Sequence, residues 1–527
     1  MRIIFTFLLF LIGIQGFSQY IPVIPQDNDV YSFLDEFRLE YNPAVKPLGR
    51  NEIAILLKSI DTTSLNLRQK KELDFYLKDF DKAQNGKKFF RPSALYYYSD
   101  STFSITVNPI IGSDIYSNKN GKAYRWWNGA EAFATIGKWG IYGRLIDNHE
   151  SDTLTSPTFL NQRHGGSSFK PFSDGKVDFE EISGGVTYSW KTGHIGLIKD
   201  NFTWGSNYNG ANIFSGRTPA FVHIDLHLKP LSWLDFHYVH GWLNSEVVDS
   251  SRSFTFTNGY GTQYRRVYHS KFLAANIFTF TPISNLRLSA GNSIIYDFDR
   301  VHPAFLIPVM FFKAVDHSLN SGIKNMNSQM FFDISSKNLN HIHLYSTIFI
   351  DELAVKRIFK NDEHNFVSFK GGMKISNLIP NTFGGIEYTI TNALTFRHDV
   401  PTTTFESNRF NLGHYLTDNS MELYLNAGYK PVRNMILEIT YIHAQKGPDH
   451  TELGTEPRQN IESFTPVVWE SKSLVVAYSW QPLNNLFLRL NYEFRNVTGD
   501  AIYVSRYTPE FWRGRTGTIG FGVNYGF

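Results

Sequence analysis

From residue 93 to the end, the chain alternates apolar and polar residues with a period of two, and the alternation restarts after every interruption. Successive side chains of a strand point to opposite faces, so such a chain builds sheets with one oily and one polar side. Val222–Lys229 reads VHIDLHLK, with Val222, Ile224, Leu226 and Leu228 on one face and His223, Asp225 and His227 on the other. After a turn through Lys229-Pro230-Leu231-Ser232, Leu234, Phe236 and Tyr238 oppose Asp235 and His237. A sandwich or barrel in water turns the oily faces inward. A membrane barrel reverses this, giving lipid the oily face and a wet lumen the polar one.

The pattern predicts about eighteen strands, near 102–111, 123–136, 139–147, 181–190, 194–199, 222–229, 233–243, 266–280, 286–296, 328–335, 342–351, 365–375, 385–394, 421–430, 434–442, 469–480, 485–495 and 517–527. One turn formula recurs: KPLSWLDFH at Lys229, TPISNLRLS at Thr281, KPVRNMILE at Lys430 and QPLNNLFLR at Gln481. Proline fixes φ and ends the preceding ladder, so each reads as an abrupt reversal. Long links, near 112–122, 148–180, 200–221, 244–265, 297–327, 352–364, 395–420, 443–468 and 496–516, alternate with the short ones. That asymmetry matches an outer-membrane barrel with tight periplasmic turns, long outer loops and both termini on the periplasmic side.

In the last strand Ile519, Phe521, Val523, Tyr525 and Phe527 share one face, and Thr518, Gly520, Gly522, Asn524 and Gly526 the other. In the strand before it, Arg489, Asn491, Glu493 and Arg495 oppose Leu488, Leu490, Tyr492 and Phe494. Charges at that density line a lumen and pair across strands, because hydrocarbon excludes them. No run after the N-terminal segment approaches the roughly 18 apolar residues of a membrane helix. The chain has no Cys, which excludes disulfides, thiolate metal sites, a Cys nucleophile and a lipidated N-terminal Cys. Its formal charge of +3 is spread along 527 residues, so a nucleic-acid partner has no support.

The N-terminal part differs. Met1–Ser18 has Arg2, an apolar segment from Ile3 to Ile14, and small Gly16 and Ser18, the form of an export signal cut near Gln19. A membrane anchor is the alternative. Residues 19–92 read as a periplasmic helical region. Val30, Phe33, Leu34 and Phe37 stand at helical spacing behind Asp27 or Asn28 as cap. Ile53, Leu56, Leu57 and Ile60 repeat the spacing, and Asn66 with Gln69 caps a third helix carrying Leu73, Tyr76, Leu77 and Phe80. The expected fold is an all-β transmembrane barrel over 93–527 with a small N-terminal α-helical domain.

The loop after the fifth predicted strand carries Gly196-Leu197-Ile198-Lys199-Asp200-Asn201-Phe202, Trp204-Gly205-Ser206-Asn207-Tyr208-Asn209-Gly210 and Phe214-Ser215-Gly216-Arg217-Thr218-Pro219. This run resembles the signature of the capsule assembly protein Wzi family. Pro47–Ile53, Pro303–Pro308 with Asn325–Asp333, and Asn411–Leu416 before Tyr424 resemble other parts of that family. Two places depart from its pattern: Ile198-Lys199-Asp200 replaces a Gly-Arg or Gly-Lys before the Asp, and Asn207 replaces the second glycine after the Trp. Asn tolerates positive φ, so the turn is expected to survive. The resemblance implies an 18-stranded outer-membrane barrel, a helical bundle at the periplasmic mouth, and outer loops that bind capsular polysaccharide.

On that reading the candidate polysaccharide-binding residues are Lys199, Asp200, Trp204, Asn207, Tyr208, Asn209, Arg217, Arg506 and Arg513. Trp204, Tyr208, Tyr260, Tyr264, Tyr503, Tyr507 and Trp512 fall in or beside expected outer loops, where rings stack on sugars and Arg clamps their polar groups. Belt aromatics and loop packing are the plainer explanation for any one of them. His223/His227 and His341/His343 have the same-face spacing of a chelate, but a polar lumen lining explains both pairs more simply. The sequence has no Gly-x-Ser-x-Gly elbow, no His-Glu-x-x-His and no phosphate-binding glycine loop, and His149-Glu150 lacks the second His. The expectation is a non-enzymatic, cofactor-free surface lectin, with outer-membrane lipid, surface polysaccharide and the barrel-assembly machinery as partners. A porin or uptake channel is the alternative.

Overall fold

The computed structural model describes residues 19–24, 29–39, 43–80, 94–155, 170–171, 176–319, 325–357, 365–450, 463–483 and 485–526. The signal segment, Asp27, Asn28 and Phe527 lie outside them. Eighteen antiparallel strands close into a barrel in chain order. They are β1 Phe103–Asn118, β2 Gly121–Ile136, β3 Trp139–Ser151, β4 Lys176–Trp190, β5 Gly193–Asp200, β6 Phe221–Leu231, β7 Leu234–Leu243, β8 Lys271–Ile283 and β9 Leu286–Tyr296. They continue as β10 Met326–Ser336, β11 Ile342–Glu352, β12 Phe366–Ser376, β13 Thr382–Thr391, β14 Ser420–Tyr429, β15 Met435–Lys446, β16 Trp469–Leu483, β17 Leu486–Gly499 and β18 Arg515–Tyr525. Closure is made by β18 on β1, where Phe521 pairs with Ile115 and Val523 with Ser113.

The faces follow the alternation. Ile111, Ile115, Leu145, Val186, Leu197, Ile334, Ile439, Val476, Leu490 and Phe521 are exposed on the outside, while Thr106, Asn148, Thr187, Ser335, Lys370, Glu387 and Thr518 are buried within. This is the inside-out arrangement of a transmembrane barrel. The proline formula acquires a mechanism at three of its four sites. Pairing skips two residues at the proline and resumes at Leu231–Leu234, Ile283–Leu286 and Leu483–Leu486, so the Pro sits in a bulge where no ladder N–H is needed.

Two strand expectations change. The expected link over 112–122 is strand as far as Asn118, closed by the tight turn Lys119-Asn120. Gly112 is no breaker: a Cβ there would lie 2.2 Å from the Trp127 ring opposite, so glycine makes room for the indole within the ladder. The strand expected from 266 begins at Lys271; residues 266–270 link it to a separate hairpin, 254–265, at the long-loop end. Of the lumenal charges expected to pair across strands, Arg489 reaches the neutral Asn524 on the neighbouring strand, and Arg495 pairs with Glu493 along its own strand.

Among the described residues three helices precede the barrel: α1 Val30–Leu34, α2 Arg50–Lys58 and α3 Leu67–Phe80. Val30, Phe33, Ile53, Leu57 and Phe80 form their shared core. The predicted cap of α3 is present in both directions, Gln69 N–H donating to Asn66 Oδ1 (2.9 Å) and Asn66 N–H to Gln69 Oε1 (3.1 Å). This unit sits in the short-turn mouth. Asp35 bonds Lys337 and Lys374, Arg38 bonds Asn338 and Asn340, Arg68 bonds Asn381, and Glu36 and Glu72 bond Lys430.

The segment 297–319 folds against the outer wall instead of standing off as a polar loop. Phe305 and Phe312 bury themselves on Tyr238, Phe272 and Tyr296 of β7–β9, and its backbone carbonyls at Pro308 and Met310 accept from Asn276. Polar wall residues are thereby satisfied, and Ile307, Val309 and Phe311 form the outer surface in their place.

Candidate functional site

The loop between β5 and β6 was expected at the outer surface; it runs through the lumen. Trp204 is completely buried among Phe202, Phe214 and Phe331, and its ladder continues into the N-terminal unit, Trp204 pairing with Val45 and Thr203 with Lys46. Gly205 N–H donates to Ala44 O (2.8 Å). Positive φ occurs at Gly205 (+88°), Gly210 (+67°) and Gly216 (+67°), but Asn207 is absent from the positive-φ residues, so that position does not need the freedom glycine supplies. Asn207 donates instead to Gly205 O (2.9 Å).

The loop reaches across to the far wall. Ser206 N–H donates to Asp333 Oδ1 (2.7 Å), Tyr208 and Asn209 N–H donate to the two oxygens of Glu387 (2.6 and 2.7 Å), and Asn209 Nδ2 donates to Glu422 (2.8 Å). Lys370 binds Asn209 O (2.9 Å) and Glu387 (3.1 Å) with its ammonium fully buried, and Tyr208 OH meets His343 at 2.8 Å. Lys370 pairs with Glu387 and Arg287 with Asp333, while Glu422 accepts from Asn209 and Tyr415, so these buried charges have the partners that desolvation requires. From above, 392–419 closes over the loop, Ser215 N–H donating to Leu412 O and Phe405 packing on Phe214.

Most of the stretches carrying the sequence resemblance converge. Residues 201–219, 327–333 and 411–416 meet in one core inside the barrel, joined by Val45 and Lys46 beside 47–53, whereas 303–308 packs on the outer wall. Trp204, Asn207, Tyr208 and Asn209 build a crosspiece of the lumen and present no surface platform. Lys199 and Asp200 point to opposite sides of β5. Lys199 reaches Ile182 O on the outside (2.7 Å), while Asp200 accepts from Tyr142 OH inside (3.0 Å). Arg217 lies beneath the mouth with its guanidinium over the Tyr415 ring.

Two of the nine expected site residues stand at the long-loop mouth. The outer-wall segment contains helix α4, Phe312–Leu319, and at the long-loop mouth a short helix α5, Ala501–Tyr507, carries exposed Arg506 beside half-buried Tyr503. Arg506 lies over the Tyr503 ring (5.5 Å) and bonds Asp449 (2.8 Å), its side chain 42% exposed. Arg513 spends its donors on Ser505 O and Thr508 O, carbonyls that the end of the helix leaves without partners. Trp512 is half-buried beneath Arg495. On the 254–265 hairpin, Phe254, Phe256, Tyr260 and Tyr264 are exposed.

Among the openings that escaped the sequence reading, two stand out. One, with about 980 Å³ of empty space, lies between the helical unit and β1–β4, lined by Arg50, Asp79, Glu131, Arg144 and Asp200. The other, of about 670 Å³, is a charged recess at the long-loop end between Lys313, Asp316, Glu352, Arg397 and Asp399. Both are assembled from segments far apart in the chain, and neither has a local spacing to detect.

No family model and no curated protein matches the chain. Among solved structures it is similar to Wzi, an outer membrane protein involved in group 1 capsule assembly in Escherichia coli and described as a carbohydrate-binding β-barrel, at 12% identity and a TM-score of 0.58, covering 97% of this chain and all of that one. It also matches OccD3 (OpdP) of Pseudomonas aeruginosa at 9% identity and a TM-score of 0.45, covering 82% of this chain and 93% of that one. The first likeness shows a shared fold, including the N-terminal part.

Proposed function

We propose that the protein is an outer-membrane lectin that holds surface polysaccharide at its long-loop mouth, with the helical unit and short turns facing the periplasm. The observation that carries this reading is the ridge of exposed Arg506 beside half-buried Tyr503 and Trp512, standing above a lumen crossed by 201–220 and 392–419. Rings offer faces to sugars and guanidinium groups offer paired donors to hydroxyls and carboxylates. The Wzi likeness agrees with it, since that barrel binds carbohydrate. No covalent chemistry enters this reading.

Purified, detergent-folded protein should bind the surface polysaccharide of its host in preference to an unrelated neutral glycan. A Tyr503→Ala/Arg506→Ala double variant should lose about tenfold or more in affinity, the scale of one stacked ring and one charged hydrogen bond. Equal binding by the double variant removes the ridge from the reading, and no binding to any surface glycan sinks the lectin itself. The polar opening beside β1–β4 favours a channel as the second reading. A large steady conductance in planar bilayers would establish it.

A further inference from the structure

The β6–β7 hairpin places His227 directly opposite His237 in the ladder, with Asp235 two residues before His237 on the same inward face. The two imidazole rings stack at 4.1 Å and 5° between planes. Each directs Nε2 at the same oxygen of Asp235, 3.0 Å away, and the His237 nitrogen has no hydrogen bond despite its burial. From the helical unit, Glu52 brings Oε1 to 3.8 Å from the other nitrogen of His227, while Oε2 caps α2 at Gly49 N–H (2.7 Å).

A carboxylate therefore stands at both ends of the His227 ring. A neutral imidazole has one N–H, so whichever nitrogen donates, the other aims a lone pair at a carboxylate. A cation at the Nε2 end removes the conflict: Nδ1–H faces Glu52, Nε2 becomes a ligand, and His237 gains a partner. Imidazole whose second nitrogen faces a carboxylate is the usual arrangement of a metal-bound histidine. The ligand atoms of His227, Asp235 and His237 lie within 4.8 Å of one another, against about 3.3 Å between ligands of tetrahedral zinc with bonds near 2.0–2.1 Å. Closing that gap requires the two rings to turn out of their parallel stack so that both Nε2 lone pairs point at one ion. A cavity lined by Glu52, His194, His223, Asp225, His227 and His237 leaves room for a fourth, water ligand. His194 stays outside the set, bonded to Asp225 (2.8 Å) and stacked on Tyr20.

We propose that His227, Asp235 and His237 bind one divalent transition metal of the zinc class on the lumen wall, with Glu52 as the positioning residue that ties the site to the helical unit. Two nitrogens, one oxygen and an open position suit Zn²⁺ or Co²⁺ and not Ca²⁺ or Mg²⁺.

The test uses tag-free, full-length protein folded in detergent and stripped with chelator. Calorimetric titration with Zn²⁺ should saturate at one equivalent, and Co²⁺ should give the visible absorption of a four-coordinate ion. His237→Gln and Asp235→Asn should each weaken Zn²⁺ binding by about 100-fold or more, and Glu52→Gln by about 10- to 100-fold. Zn²⁺ should raise the melting temperature of the parent protein and leave that of His237→Gln unchanged. Glu52→Gln sits on the helical unit and keeps the cap acceptor, so it reports even if a wall variant fails to fold. Absence of saturable Zn²⁺ binding by the folded parent overturns the proposal, as does undiminished binding by a folded His237→Gln. In that event the ring is held by protons between its two carboxylates.

Discussion

The two mouths of the barrel use the same residue types to opposite ends. At the short-turn mouth Arg68 joins Glu36 and Glu72, each at 2.5 Å, with side chains 3–6% exposed, and Lys430 completes the group. At the long-loop mouth Arg506 meets Asp449 at 2.8 Å with its side chain 42% exposed. The buried group has paid desolvation and holds only while every member is present. The half-exposed Arg506 is screened by water and gains little from its partner. Burial thus separates a latch from a binding surface, although both read as scattered charge in sequence.

Breaking the latch should have the largest effect. Arg68→Met leaves buried Glu36 and Glu72 sharing the one cation Lys430, and should lower the stability of the seated helical unit by about 3–5 kcal/mol, read as a drop in the urea midpoint and new protease cleavage within 50–80. The crosspiece should be next. Asn209→Ala removes the donor from Glu422 and should cost about 1–3 kcal/mol, with a matching rise in bilayer conductance; unchanged conductance would mean that the crosspiece does not set the lumen's width.

Acid should act on the short-turn mouth. Burial by itself would raise the carboxyls of Asp35 and Glu36, but Lys337, Lys374 and Lys46 hold the first well below its ordinary value, and Arg68 and Lys430 lower the second. Their contribution is complete above about pH 4, where these groups are ionised in the unfolded chain, and is lost as pH falls through their lower folded values. Glu72, pushed up by burial, works in the opposite direction and blunts the loss. Protease sensitivity of the helical unit should therefore rise below about pH 4; a flat profile would break the contrast between the mouths. The smallest effect on stability belongs to Arg506→Ala, within about 1 kcal/mol, although polysaccharide binding should fall in the same variant. A loss of stability as large as that of Arg68→Met would make Arg506 structural.

The barrel and the three helices were legible because each rests on a local period that one buried face repeats. The strand over 286–296 and the Asn66–Gln69 cap emerged as read, while Gly112 misled because a glycine that admits Trp127 looks like one that breaks a strand. The candidate site was legible only as a set of unusual residues. Trp204, Tyr208 and Asn209 stood out correctly, but their polar, aromatic, glycine-rich loop has the same composition whether it faces water or a wet lumen. His227 also stood out, yet its neighbour on the same strand, His223, drew attention from His237, its partner across the turn.

The sequence by itself determined the alternation, the number of strands, the oily outer belt and the helical start, because each depends on neighbours a few residues apart. Only the tertiary structure decided that 201–220 and 392–419 turn inward, that 297–319 lies on the outer wall, and which charges are buried. Those outcomes depend on contacts such as Trp204 with Phe331, Asn209 with Glu422 and Arg68 with Glu36, between residues that only barrel closure brings together.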